Sequence, residues 1–403
     1  MVKVSDPLSL YVHIPFCDHR CAYCDFNAYA GLDALMPRYV DALAAELAAW
    51  VDVLGPRPLA TVYFGGGTPS RLPLPLLERL VRAVEAAFPH RADTEWSLEA
   101  NPGTIDEAYL RGLRALGINR LSIGVQSFDD AELRLLDRIH DAAAAETAYR
   151  TARAAGFANV NLDLMFGLQG QDLASWERTL RRALALGPEH LSLYALTVEE
   201  GTPLARQVAC GQAPEPDPDL QAAMYERAQA LLAAAGYEQY EISNWARPGY
   251  ACRHNLVYWR DGEWLGVGAG AHSHLAGRRF AVVRSPAAYV RRVLATGPDR
   301  AATGPSTVPF PWVGFVEEPE PDRAMADYVT LALRLSEGLS LSAFAQRFGV
   351  PFEAVFGDAV PELTALGLLV RAGDRLCIPP SARFLAGEVQ ARVLAARRVA
   401  HRR

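Results

Sequence analysis

Six short β-rich apolar runs, at 8–14, 61–64, 95–99, 120–124, 159–165 and 191–195, alternate with segments at 34–54, 74–88, 106–116, 130–155 and 175–186 whose apolar residues recur at helical spacing. No other feature restricts the fold as strongly. Several helical segments close on a glycine, at Gly55, Gly117, Gly156 and Gly187, as helix ends commonly do. Right-handed βα units put every strand end on one face, so the residues just after each strand should converge there. Those residues are a cysteine cluster after the first strand, then Gly65 to Thr68, Glu99 to Pro102, Gln126, Asp163 to Gly167, and Tyr194. Six units are too few to close an eight-unit barrel. The expected fold is therefore α/β, an open and curved partial (β/α)6 barrel.

After these units the stretch 210–219, CGQAPEPDPD, is proline-rich and acidic and reads as a linker. A helix is expected at 220–235, followed by an aromatic and glycine-rich segment at 237–279 and a polar, proline-rich passage at 305–321. Helices at 325–336, 341–348 and 352–366 then lead to a hairpin at 368–378, marked by Ala372-Gly373-Asp374, and a last helix at 382–398. Helices plus a hairpin in that order suggest a winged-helix-like α+β module. The expected division is a partial barrel at 1–209, a mixed connecting segment at 210–310 and the module at 311–403.

The 403 residues include 40 basic and 46 acidic side chains, a net charge of −6, and 50% of them are apolar, as in a globular protein with a large core. Like charge is concentrated only at Arg397, Arg398, Arg402 and Arg403, so neither nucleic acid nor an anionic membrane is a favoured partner. Lys3 is the only lysine, which removes Schiff-base and P-loop chemistry. No apolar run approaches the roughly 18 residues that span a bilayer, and no leader-like apolar stretch follows Met1, so a cytoplasmic location is expected.

Cys17, Cys21 and Cys24 sit close together while Cys210, Cys252 and Cys377 are scattered, a pattern that suits a reducing compartment and a metal or cluster site. The C-x3-C-x2-C spacing puts three thiolates on one loop. Three thiolates on a four-iron cluster leave one iron open to a chelating small molecule. A structural zinc ion is the alternative, with His13 or His19 as fourth ligand, although the pairwise C-x2-C repeat usual for zinc is missing.

The run Tyr11-Val-His-Ile-Pro-Phe-Cys17, with Cys21, Tyr23 and Cys24, resembles the signature of the radical S-adenosylmethionine (radical SAM) family, in the branch holding oxygen-independent coproporphyrinogen III oxidase and the HemW-like heme chaperones. The likeness continues through Phe64-Gly-Gly-Gly-Thr-Pro-Ser70, Ser97-Leu-Glu-Ala-Asn-Pro102, Arg120-Leu-Ser-Ile-Gly-Val-Gln-Ser-Phe128, Leu136-Asp-Arg-Ile-His140 and Asn161-Leu-Asp-Leu-Met-Phe-Gly-Leu168. It then includes Glu241-Ile-Ser-Asn244, His254-Asn-Leu-Val-Tyr-Trp259 and Gly266-Val-Gly-Ala-Gly-Ala-His-Ser273, and beyond Ser273 only the general pattern matches. The resemblance implies that Cys17, Cys21 and Cys24 hold a [4Fe-4S] cluster whose open iron takes the amino and carboxylate groups of S-adenosylmethionine. It implies contacts to that cofactor from Gly66, Gly67 and Thr68, from Glu99 to its cationic amine, and from Gln126, Arg138 and Asp163. Tyr11 and Tyr23 match positions flanking cluster and cofactor. A tight βα turn would account for Gly65, Gly66 and Gly67 as well, and core packing for the two tyrosines.

The oxidase carries a fourth cysteine two residues after the third, where this chain has Phe26, and a substantial extension before its cluster loop, where Cys17 comes almost at the start. Both departures point toward the chaperones. So does the run from His254 to Trp259, which resembles their HNxxYW motif: imidazole can ligate heme iron and flat rings can cover a porphyrin. Without the resemblance it reads as a satisfied histidine beneath a core aromatic pair. Cys252, His272 and His274 are secondary candidates for the ligand. The implied function is a chaperone that binds heme and passes it to apo-hemoproteins such as respiratory enzymes, as a monomer or homodimer, with no more than transient contact with a membrane surface. A radical enzyme acting on a porphyrinogen or another substrate, and a zinc-stabilised binding module, are the alternatives.

Overall fold

A computed structural model describes residues 7–296 and 310–397; Lys3, Arg398, Arg402 and Arg403 lie outside the described residues. The six apolar runs become strands β1 (Leu8–Ile14), β2 (Leu59–Gly66), β3 (His90–Ala100), β4 (Arg120–Gln126), β5 (Val160–Phe166) and β6 (His190–Ala195). They pair in that order and all run parallel. Their buried residues are nearly continuous along β1, β4 and β5, and along β3 from Thr94 onward, rather than alternating, as a parallel sheet covered on both faces requires. Leu10 lies beside Val62, Val62 beside Trp96, and Ile123 beside Leu162, so one apolar layer crosses the sheet. Helices α1 (Met36–Leu54), α2 (Leu74–Ala87), α3 (Glu107–Ala115), α4 (Asp130–Leu135), α5 (Ala142–Ala154) and α6 (Leu173–Leu186) connect the strands. The strand order keeps β6 and β1 apart, so the barrel is open, as expected.

The sheet continues past β1. Trp264–Val267 adds parallel to it, pairing Ser9 with Trp264 and Val12 with Val267. His272–Leu275, Arg278–Val282 and Val313–Glu317 then follow antiparallel. The chain accordingly forms two compact units, Met1–Gln221 with Glu263–Glu318, and Ala222–Gly262 with Pro319–Arg403. These divisions fall at 221/222, 262/263 and 318/319, where the sequence reading places boundaries at 209/210 and 310/311, because the strands from Trp264 onward extend the β1 sheet.

The second unit holds helices Pro321–Arg334 and Leu341–Phe348, the hairpin Val370–Ala372 with Arg375–Cys377, and the short strand Leu339–Ser340 beside Arg375–Cys377. Val329, Phe344, Phe352, Phe356, Leu363, Val389 and Val393 form its core, a winged-helix-like α+β arrangement.

Three expected helices are divided. Residues 130–155 form two, because Asp129 and Asp141 each cap a separate helix start and Asp137 between them takes φ +57°, a left-handed conformation that ends α4. Residues 352–366 break at Gly357 and Asp358. The last helix, expected from 382, begins as a 3-10 turn at Pro380–Leu385 and continues as Ala386–Ala395.

Candidate functional site

On leaving β1 the chain makes a two-residue strand, Phe16–Cys17, that pairs with Tyr29–Ala30, so the cysteine loop is tied at its base. Cys17, Cys21 and Cys24 are free thiols, each partly accessible. Burial pushes the Cys17 and Cys24 thiols up, and the neighbouring cysteines push the same way. Three thiolates gathered here would repel one another and need a cationic centre among them. Two groups already ease that charge. Thr68 Oγ1 lies 3.4 Å from Cys17 Sγ, and Arg138 donates to Cys21 Sγ at 3.6 Å.

Arg138 reaches this position because the helix breaks at Asp137, whose carboxylate also meets His19 at 2.5 Å. Its guanidinium is anchored by Asn101 Oδ1 at 2.6 Å and the Gly124 carbonyl at 2.8 Å, while its buried Nε has no protein acceptor. Asn101 also donates to Thr68 Oγ1 at 3.1 Å, so one amide holds both partners of the cysteines. Tyr23 packs with Leu136, Met165, Leu168 and Leu196, and burial pushes its phenol up.

The glycine turn has a requirement inside the protein. A Cβ on Gly66, which has φ +126°, would stand 2.7 Å from His13 Cε1, and one on Gly67 would stand 2.9 Å from Cys17 Sγ. The bare backbone therefore lets β2 close against the cysteine loop. Beside it, Glu99 accepts from Tyr63 Oη at 2.8 Å and from Gly66 N at 3.1 Å. Burial, reinforced by Asp163, raises its pKa to about 7 against the Tyr63 bond. Asp163 is likewise pushed up by burial, although Asn161 Nδ2 at 2.8 Å and Ser122 Oγ at 3.1 Å donate to it. Gln126 ends β4 at φ +67°. Tyr11 Oη bonds His13 Nδ1 at 3.0 Å, and its ring stacks on Tyr63.

The structure thus sets Thr68, Arg138 and Gly67 against the cysteines, Tyr23 on their loop, and Gly66, Glu99 and Gln126 at the ends of β2, β3 and β4, while Tyr11 and Asp163 stand mid-strand in β1 and β5, all in the first unit. Phe26 stands on the cysteine loop with 66% of its surface exposed. Among the described residues no three His, Cys, Asp or Glu side chains are gathered so as to hold a single metal ion. The residues do fit the larger group that the resemblance implies, with three thiols, a neutralising guanidinium with an orphaned N–H, and a half-buried carboxyl whose ionisation a cation would favour. Asn101 and Tyr63 were not singled out from sequence, although both lie in or next to the quoted motifs.

His254 belongs to the second unit. It is 1% exposed, and its Nε2 lies 2.8 Å from Tyr258 Oη on the same short helix, Arg253–Trp259. Arg334 lies 4.2 Å over the Trp259 ring and reaches the buried Glu241 at 3.3 Å. Glu241 also holds Asn244, so Arg334 ties the Glu241–Asn244 motif to the His254–Trp259 motif. Cys252 and His274 are buried, whereas His272 is exposed on the first unit. Partial shielding of its ring and the Arg284 guanidinium lower the His272 pKa.

Residues 11–183 match the radical SAM superfamily and residues 320–385 the HemN C-terminal domain. A protein named heme chaperone HemW, from Mycobacterium tuberculosis, is 40% identical over 386 residues, 95% of this chain and 94% of its own. The chain belongs to the HemW family of radical SAM proteins. A heme chaperone HemW of Bacillus subtilis is 34% identical over 94% of this chain and 97% of its own length. Among solved structures, coproporphyrinogen III oxidase (HemN) from Escherichia coli, a radical SAM enzyme, superposes with a TM-score of 0.82 at 26% identity, over 97% of this chain and 90% of that one.

Proposed function

We propose that this protein is a cytoplasmic heme chaperone, which binds a [4Fe-4S] cluster through Cys17, Cys21 and Cys24 and S-adenosylmethionine beside it, and delivers heme to apo-hemoproteins such as respiratory enzymes. The observation that carries the reading is Phe26, a solvent-facing aromatic where the decarboxylating oxidase has its fourth cysteine. The full-length relatives named heme chaperone support it. No helix among the described residues is long and apolar enough to cross a membrane.

When bound, the cluster and S-adenosylmethionine supply electron transfer and a source of an organic radical. The chain's own residues hold them. Arg138 and Thr68 offset thiolate charge at Cys21 and Cys17, Glu99 takes the cofactor ammonium while kept in place by Tyr63 and Gly66, and Gln126 and Asp163 offer further polar contacts. The likeness to HemN favours a second reading, a radical enzyme acting on a porphyrinogen.

The test offers heme and coproporphyrinogen III separately to anaerobically reconstituted protein. A Soret band with heme, transfer of that heme to an apo-hemoprotein, and no carbon dioxide from the porphyrinogen are expected. Carbon dioxide release in the presence of S-adenosylmethionine and a reductant would replace the chaperone by the enzyme.

A further inference from the structure

We infer that heme docks on the first unit, against the turn between Gly266 and Ser273, with His272 as the axial iron ligand, Phe26 under the porphyrin face and Arg284 paired with a propionate. The inference rests on the heme-binding reading above and names its site. Four side chains were candidates for the iron. His254 is 1% exposed with Nε2 facing Tyr258, Cys252 is 4% exposed, and His274 is 5% exposed with its ring against Trp264. Only His272 among the four is exposed.

The turn that presents His272 is moulded to the cysteine loop. A Cβ on Gly266 would lie 2.1 Å from the His272 carbonyl oxygen, and one on Gly270, at φ +82°, would lie 2.4 Å from Asn27 Nδ2. Trp264 Nε1 fixes the same His272 carbonyl at 2.9 Å. Asn27 donates to the carbonyls of Ala269 and Arg284, both at 2.9 Å, and its own carbonyl meets His13 Nε2 at 3.0 Å. Tyr29 Oη donates to Asn27 and, at 3.3 Å, to the Arg284 carbonyl. Phe26 precedes Asn27, and His272 lies within electrostatic range of Arg284 and His13. A held loop therefore presents an exposed aromatic, an exposed imidazole and an exposed guanidinium to one region. Heme carries the three complementary features, which are an apolar face, an iron that accepts nitrogen, and carboxylates.

The test titrates hemin into the full-length protein, following the Soret band and the iron–histidine stretch. His272→Ala should lose the histidine-ligated spectrum and added imidazole should restore it, with circular dichroism confirming the fold. Arg284→Ala should weaken hemin about tenfold, as loss of a charge-assisted contact does, and leave hemin dimethyl ester unaffected. A wild-type spectrum in His272→Ala overturns the site, as does loss in His254→Ala alone, and both leave heme binding intact. Absence of any heme spectrum in the wild type removes the heme-binding reading together with the site.

Discussion

In Glu99→Gln, stability and affinity for S-adenosylmethionine should move in opposite directions, and they should do so only at neutral pH and above. The Glu99 carboxyl is raised from 4.5 to about 7, chiefly by burial. A group raised in the folded state contributes stability that is fully present below its unfolded value, and this is lost as pH rises through the folded value. The loss is worth on the order of 3 kcal/mol between about pH 4.5 and pH 7. Glutamine does not ionise, but Tyr63 Oη and Gly66 N donate to different carboxylate oxygens and its NH2 group would replace one of them, which returns about 1 kcal/mol. Urea unfolding should therefore show the variant stabilised by about 2 kcal/mol at pH 8 and unchanged or weaker at pH 5. Calorimetric titration of cluster-loaded protein should show the reverse for the cofactor, with the variant about 10- to 150-fold weaker at pH 8 because a charge-assisted bond is lost. Wild-type affinity should rise with pH up to about 7, and that of the variant should be flat. Equal cofactor affinity in both proteins, or a stability difference that ignores pH, would refute the assignment.

Further outcomes follow from neighbouring features. Alanine at Cys17, Cys21 or Cys24 should abolish the roughly four irons gained on anaerobic reconstitution, whereas Cys210→Ala should retain them. Gly67→Ala should lower cluster occupancy without altering the bulk fold by circular dichroism, since its Cβ would press on Cys17 Sγ. Arg334→Leu leaves Glu241 without a cationic partner and Trp259 uncovered, so it should destabilise the protein by about 3 kcal/mol or more in urea titrations. The full chain should show no salt-sensitive binding to duplex DNA by fluorescence anisotropy, because its net charge is −6 and among the described residues no basic recognition helix accompanies the winged-helix-like core.

The six parallel strands were legible because a strand buried on both faces must be apolar almost throughout, as Leu8–Ile14 is. The strands His272–Leu275 and Arg278–Val282 were not, since they are short, mix histidine and arginine with apolar residues, and exist only because Trp264–Val267 finds β1. The helix break at Asp137 was hidden for a similar reason. The residues around it are good helix formers, and the left-handed turn is held by tertiary partners such as His19. In the site, Cys17, Glu99 and Asp163 stood out as chemistry-bearing residues after strands. Asn101 and Tyr63 carry no such mark, and their task of aiming Arg138 and Glu99 shows only in three dimensions. The sequence likewise had no means of telling an exposed His272 from a buried His254.

The pairing of β1 with Trp264–Val267 sets an order of events during synthesis. Ser9 emerges from the ribosome first, and its neighbour Trp264 appears only after about two thirds of the chain. At about 5–20 residues per second, β1 would spend on the order of ten seconds or more with one edge unpaired. The Asn27 bonds to Ala269 and Arg284 are missing over the same interval, so the cysteine loop lacks part of its anchorage until roughly seven-tenths of the chain has been made. Any cluster assembly on this protein is therefore expected to follow emergence of Arg284, and a nascent polypeptide stopped before residue 263 should expose an apolar strand edge to holdase chaperones.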